Sequence, residues 1–280
     1  AVLGPILREY IISEGMNGLG IPTARTLSAA LTGEKIMREQ LFPGAILTRV
    51  AQSHIRVGTF EYFSARKDIE GLRLLSDYVI RRHFPDAGNS KNTYSTLLYE
   101  VAVRQANLIA KWMLFGFIHG VMNTDNMQIA GETIDYGPCA FLDTYQPDMV
   151  FSSIDHGGRY AYSNQPEILI WNLSRLAETL IPLVNPKQEK AVQLLTETIE
   201  CIQPIYESYG LTAMRAKIGL STEDPSDSQL INDLFMTMDK GNADFTLVFR
   251  RLSNALRGDS ELVRGLFTNP VDFDAWEQRW

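Results

Sequence analysis

The chain has 280 residues, enough to bury a sizeable core in one large domain or two modest ones. With 45% hydrophobic residues, 21% charged residues and a net charge of −7, it is neither a disordered chain nor a nucleic-acid binder, which would show a basic face. Two cysteines, Cys139 and Cys201, are too few for a disulfide framework, and the most apolar run, residues 112–118, is too short to span a bilayer.

In chain order, Pro5 suits the first turn of a helix running to about residue 14, with Ile6/Tyr10 and Leu7/Ile11 paired on its apolar side. Glu9 lies one step off that side, as a solvated surface glutamate or as a carboxylate reaching for a cation on a neighbouring strand. Three strand-like segments follow at 26–31, 35–40 and 45–51, separated by Thr32-Gly33 and Pro43-Gly44 turns. Alternation in the last puts Leu47 and Arg49 on one face and Ile46, Thr48 and Val50 on the other. Arg49 is then an edge residue or an anion ligand, and Arg56 just beyond could join it. Helices are expected at 60–64, 69–82 and 93–118, the last as the buried central helix. After residue 142 comes an irregular segment to 166, then helices at 166–181 and 187–209 and three or four shorter ones. The fold class is therefore mainly α with a small β portion (α+β).

Residues 119–142, HGVMNTDNMQIAGETIDYGPCAFL, hold most of the chemistry. They read as a turn at 119–126, a short strand at 127–129, an Ala130-Gly131-Glu132 reversal, a strand at 133–134, then Asp135-Tyr136-Gly137. Such a hairpin brings Asn126 and Asp135 to one end of two adjacent strands. Two oxygen-bearing side chains at one mouth suit Mg²⁺, which takes one or two protein oxygens plus phosphates. His119 and Asn126 stand at the separation of H-R-D-x-x-x-x-N, and DYG replaces D-F-G. The order of elements resembles a protein kinase lacking the start of its N-lobe, with residues 1–51 as its remnant and 52–280 as the helical C-lobe. Val121 occupies the place of the kinase base and cannot accept a proton; Asp125, beside Asn126, is the replacement.

LREYIISEGMNGLGIPT, TRVAQSHIRVGTFEYF, HGVMNTDNM, IDYGPCAFLD and HGGRYAYSNQPEILIWNLSRLA together resemble the selenoprotein O family, also called YdiU. The resemblance implies a kinase-like fold that transfers AMP from ATP to Ser, Thr or Tyr hydroxyls of target proteins, with ATP bound in a flipped orientation. It makes Asp125 the proton acceptor, Asn126 and Asp135 the Mg²⁺ ligands (Mn²⁺ as a substitute), Arg49 and Arg56 phosphate ligands, and Glu9 the helix glutamate that pairs with a nucleotide-positioning lysine. It implies a bacterial cytoplasmic or eukaryotic mitochondrial protein, with no nucleic acid or membrane as partner. In relatives the glycine-rich segment and the lysine precede Ala1 and a tail follows Trp280, so the 280-residue chain is expected to bind ATP weakly and to be poorly active. The alternatives are a small-molecule or protein kinase-like phosphotransferase and a nucleotide-binding pseudokinase without activity.

Overall fold

In the computed structural model, which describes residues 1–280, Pro5 occupies the first turn of α1 (Leu3–Gly18), where a missing N–H is harmless. The inner side of α1 is Ile6, Ser13 and Met16; Leu7, Tyr10 and Ile11, expected on the apolar side, are exposed. The reason is geometric: α1 rests on a ribbon of two strands, which covers only a narrow stripe of a helix. The Glu14 carboxylate fastens α1 to the ribbon, accepting from Arg25 Nε (2.8 Å) and Nη2 (2.6 Å) and from the Thr26 N–H (3.2 Å).

The ribbon is β1 (Arg25–Met37) antiparallel to β2 (Leu41–Val50). Two strands replace the three expected at 26–31, 35–40 and 45–51. Gly33, at φ +77°, absorbs the expected turn as a register irregularity between Leu31 and Lys35, so the first two segments run on as one strand. Pro43 sits inside β2, opposite Lys35, as an edge strand permits. Leu27, Leu31, Ile46 and Val50 are each more than half exposed.

The helical body starts with α2 (Val57–Ala65) and α3 (Ile69–His83), the latter capped by the Asp68 carboxylate on the Gly71 N–H at 2.8 Å. α4 (Thr93–Phe115) runs through the centre, burying Leu97, Leu98, Val101, Leu108, Ile109 and Trp112. It ends before the expected residue 118, because Gly116 turns left-handed at φ +68° and releases β3 (Phe117–Ile118). β3 pairs with β4 (Ala140–Phe141), so the ladder closes around the chemistry-bearing loop and does not lie within it.

The hairpin expected between 127–129 and 133–134 is absent. Gln128 bridges Arg56, and Thr133 bridges Thr23. Each limb finds its backbone partner in an earlier segment, and Gly131 (φ +80°) makes the reversal with its Cα pressed on Arg104. α5 (Gln165–Val184) follows an irregular stretch in which the Asp155 carboxylate accepts the Arg159 and Tyr160 N–H groups at 2.8 and 2.7 Å. The single helix expected at 187–209 is two, α6 (Gln188–Glu200) and α7 (Ile202–Lys217); Pro204 fits only a first helical turn, so the break falls just before it. α8 (Asp227–Lys240), α9 (Phe245–Ala255), α10 (Glu261–Arg264) and α11 (Pro270–Arg279) complete the chain.

Buried side chains form two cores. One joins Met16 and Ile21 to α2–α6; the other gathers α8–α11 with Met214, Ile218, Ile118 and Leu142. Lys217 stands at their joint, donating from Nζ to Leu114 O and lying 4.5 and 4.0 Å from the rings of Phe245 and Phe249. Burial pushes its amine down to about 7. No helix is long and apolar enough to cross a membrane.

An exposed apolar ribbon, its outer edge paired only at Gly44 and Ala45 with the N-terminal residues, is a template for association. Leu27→Lys and Ile46→Lys are expected to lower concentration-dependent light scattering while leaving the thermal midpoint within a few degrees of the parent. Unchanged scattering in both would show that the ribbon is not the sticky surface.

Candidate active site

The loop between β3 and β4 is built around His119, which is fully buried. Its Nδ1 accepts the Val121 N–H at 3.3 Å, which leaves the proton on Nε2 to be donated to Ile134 O at 2.9 Å. Gln165 takes the His119 N–H on its Oε1 (3.0 Å) and gives its amide to Phe117 O (2.9 Å). Desolvation by burial holds the imidazole below the usual histidine range, against the opposing pull of Ile134 O and Asp135. His119 thus ties the limb that carries Asp125 and Asn126 to the limb that carries Asp135.

Thr124–Asn126 form one tight 3-10 turn. Asn126 Nδ2 donates to Val121 O at 2.9 Å, which turns Oδ1 the other way. The Asp125 carboxylate is 3.7 Å from Arg56 Nη2, and its side chain is 69% exposed. It also lies on Gly58 in the first turn of α2; a Cβ there would collide with Asp125 Oδ1. Arg56 is fixed by its own backbone, donating its N–H to Thr59 Oγ1 at 3.1 Å and pairing with Gln128. Gln128 is fully buried and donates to Ser53 O (2.6 Å) and Glu132 Oε2 (2.9 Å), while that carboxylate also accepts the Gln52 N–H (2.8 Å). Segment 52–57 is therefore stitched along the loop, and this stitching brings Arg56 to Asp125.

The second half of the site centres on Asp135-Tyr136-Gly137. Asp135 is exposed and sits at φ +66°, a left-handed conformation that a non-glycine residue holds only when its surroundings enforce it. Tyr136 is buried, its hydroxyl on Thr23 Oγ1 and its N–H donated to Glu9 Oε1 at 2.6 Å. Burial pushes the phenol well above its ordinary value. Glu9 Oε2 is buried without a hydrogen bond and lies 3.5 Å from Arg49 Nη1. Desolvation raises the Glu9 pKa, outweighing Arg49 and the Tyr136 N–H, and nearby Asp135 adds to the rise. Cys139 is buried, with its thiol pushed up to about 11, far from a reactive thiolate.

The structure thus sets Arg56 against Asp125, and Glu9 with Arg49 beside Asp135. Neither arginine stands free: each faces a carboxylate. No three His, Cys, Asp or Glu side chains come together as a metal cage. Sequence reasoning missed Arg8, whose guanidinium reaches the same loop, and Gly58, whose lack of a side chain lets Asp125 approach α2. A glycine in the first turn of a helix, two residues after a candidate arginine, was the available signal for Gly58.

His119 and His83 are both held below the ordinary value of 6.5, first by burial and for His83 also by Arg82 and Arg104. The unfolded chain accepts protons the folded one refuses, so this stabilisation is complete above about 6.5 and is lost as pH falls towards the folded-state values. The urea midpoint is expected to drop between pH 7.5 and 5.5, with a shallower slope in His119→Gln. An unchanged slope in that variant would remove His119 from the account.

The family described as "Protein adenylyltransferase SelO" matches residues 1–279. A protein named protein nucleotidyltransferase YdiU from Rhodopseudomonas palustris (strain BisB5) is 56% identical over 282 residues, covering 100% of this chain and 57% of the relative. Proteins of the same name from Agrobacterium fabrum (56% over 280 residues) and Methylorubrum populi (54% over 288 residues) match 100% of this chain and 58% of their own length. The chain spans under three fifths of these curated relatives. On this match across nearly every residue, the chain belongs to the SelO/YdiU family of protein nucleotidyltransferases.

Proposed function

We propose that the chain is the catalytic portion of a kinase-like protein adenylyltransferase, which moves AMP from ATP to Ser, Thr or Tyr hydroxyls of target proteins and releases pyrophosphate. Residues 1–51 are then the remnant of the N-lobe and 52–280 the helical lobe. The observation that carries this reading is the placement of Asp125. Its carboxylate is solvent-facing, on a tight turn beside Asn126 and next to a guanidinium, in a loop whose kinase-type base position is Val121.

In this reading Asp125 accepts the proton of the target hydroxyl as it attacks the α-phosphorus. Arg56 and Arg49 receive the phosphates. The Arg56–Asp125 pair is 3.7 Å apart with side chains 41% and 69% exposed. Exposed pairs of this kind contribute about 0–1 kcal/mol, so a polyphosphate bearing several charges displaces the contact readily. In the Arg49–Glu9 pair, at 3.5 Å, the carboxylate oxygen facing Arg49 is buried and makes no hydrogen bond, so Arg49 is held by charge and not by a directed bond.

Asn126 Oδ1 and the exposed Asp135 carboxylate are hard oxygen donors that fit Mg²⁺ or Mn²⁺, and an ion shared with nucleotide phosphates needs no third protein ligand. When bound, the ion would neutralise charge on the departing pyrophosphate.

The test is incubation of the chain with α-labelled or γ-labelled ATP, Mg²⁺ or Mn²⁺ and a cell extract, with the full-length Rhodopseudomonas palustris relative in parallel. Retained α label is expected, strong with the full-length relative and weak with the chain alone, and falling about 10²–10⁴-fold when Asp125 or its counterpart in the relative is replaced by alanine. Retained γ label would favour phosphotransfer. No α label on any target with the full-length relative would overturn the reading, as would undiminished α label when the counterpart of Asp125 is alanine. Gly58→Ala supplies a second check, since alanine suits a helix at least as well as glycine. Its thermal midpoint is expected to hold or rise, while transfer falls about tenfold or more because Asp125 is pushed off α2.

A further inference from the structure

Arg8 belongs to no part of the chemistry described so far, yet it reaches across from α1 into the loop. Its Nε donates to Tyr136 O at 3.0 Å, its Nη2 donates to Cys139 O, and Nη2 also lies 3.8 Å from Cys139 Sγ. The next residue, Glu9, accepts the Tyr136 N–H at 2.6 Å. Two consecutive side chains of one helix therefore engage both polar groups of one residue's backbone, and that residue directly follows Asp135.

Asp135 needs such support. Its backbone is left-handed at φ +66° without the freedom of glycine, and its side chain is exposed, so its own packing does little to hold it. Tyr136 is the adjacent fixed point. Its ring is anchored through the hydroxyl to Thr23, while Glu9 holds the N–H of the peptide that joins it to Asp135 and Arg8 holds the carbonyl of the next peptide, so the two fix the backbone on either side of Tyr136. The planar fork of arginine suits the task, because it spans two carbonyls on different residues; a lysine ammonium on a flexible stem would meet one.

We propose that Arg8 is a positioning residue for Asp135: together with Glu9 it fixes the two successive peptides that flank Tyr136, so that the seat of α1 sets the direction of the Asp135 carboxylate. The functional half of this statement rests on the reading of Asp135 as a metal ligand; the structural half does not. While these bonds hold, a shift of α1 carries the Tyr136 backbone with it, so the helix and the Asp135 carboxylate move as one unit.

Two measurements on the intact chain separate the halves. Hydrogen exchange of peptides covering residues 134–142 is expected to quicken about tenfold or more in Arg8→Ala and to be partly restored in Arg8→Lys. Arg8 is largely exposed, so the thermal midpoint should change little. Mn²⁺ affinity in the presence of a non-hydrolysable ATP analogue, followed by the paramagnetic resonance of free Mn²⁺, is expected to weaken about tenfold in Arg8→Ala, with Arg8→Lys between. Asp135→Ala is the control and should lose Mn²⁺ binding outright. Unchanged exchange in Arg8→Ala would overturn the grip itself. Faster exchange with unchanged Mn²⁺ affinity would overturn the coupling while Asp135→Ala still loses the ion. If Asp135→Ala binds Mn²⁺ normally, the metal assignment falls, and the grip is judged by exchange alone.

Discussion

One uncharged imidazole holds the two limbs of the loop together. His119 accepts a hydrogen bond from the Val121 N–H and donates one to Ile134 O, in a space shared with Trp112 and Phe117 and closed to water. A cationic ring would have two donors and no acceptor, so the Val121 contact requires the neutral form. Ionising the ring would also strand a charge in an apolar core. Asp125 and Asn126 hang from one limb and Asp135 from the other, so their relative placement depends on this one buried hydrogen-bonding pair.

Around that fixed centre the site divides into tight and loose contacts. Buried side-chain amides and carboxylates (Gln165, Gln128, Glu132) are hydrogen-bonded to backbone and define where the chain runs. The ion pairs are looser: the exposed Asp125 meets Arg56 at 3.7 Å, and Arg49 meets the mostly buried Glu9 at 3.5 Å, neither through a hydrogen bond. A buried polar network is strong and unforgiving, whereas an exposed ion pair contributes little and exchanges partners easily. A rigid frame presenting weakly committed charges is what a site for a polyanionic substrate requires.

Much of this was legible in the sequence because it was carried by local signals. The spacing of His119, Asn126 and Asp135-Tyr136-Gly137 located the loop, and the absence of a carboxylate at Val121 pointed to Asp125. Helices α3, α4 and α5 lie within about three residues of the bounds expected for them. Long-range partners were not legible. Residues 127–134 have the composition of a hairpin, but their backbone pairs with segments 23 and 56, a choice fixed by tertiary docking that no local pattern encodes. Gly33 read as a turn and served as a bulge, since a positive φ permits either. Arg8 carries no local signal, because its partners are backbone carbonyls more than a hundred residues away.

Lys217 carries a consequence for handling the protein. Its amine titrates near 7 at the seam between the cores, against 10.5 for an ordinary lysine. The folded form prefers it neutral, so the contribution is full above about 10.5 and fades as acidity rises through neutrality. Mild alkalinity should therefore knit the two halves of the helical body together, whereas a slightly acidic buffer should place a cation among phenylalanine rings and loosen their docking, with no change in any residue of the catalytic loop.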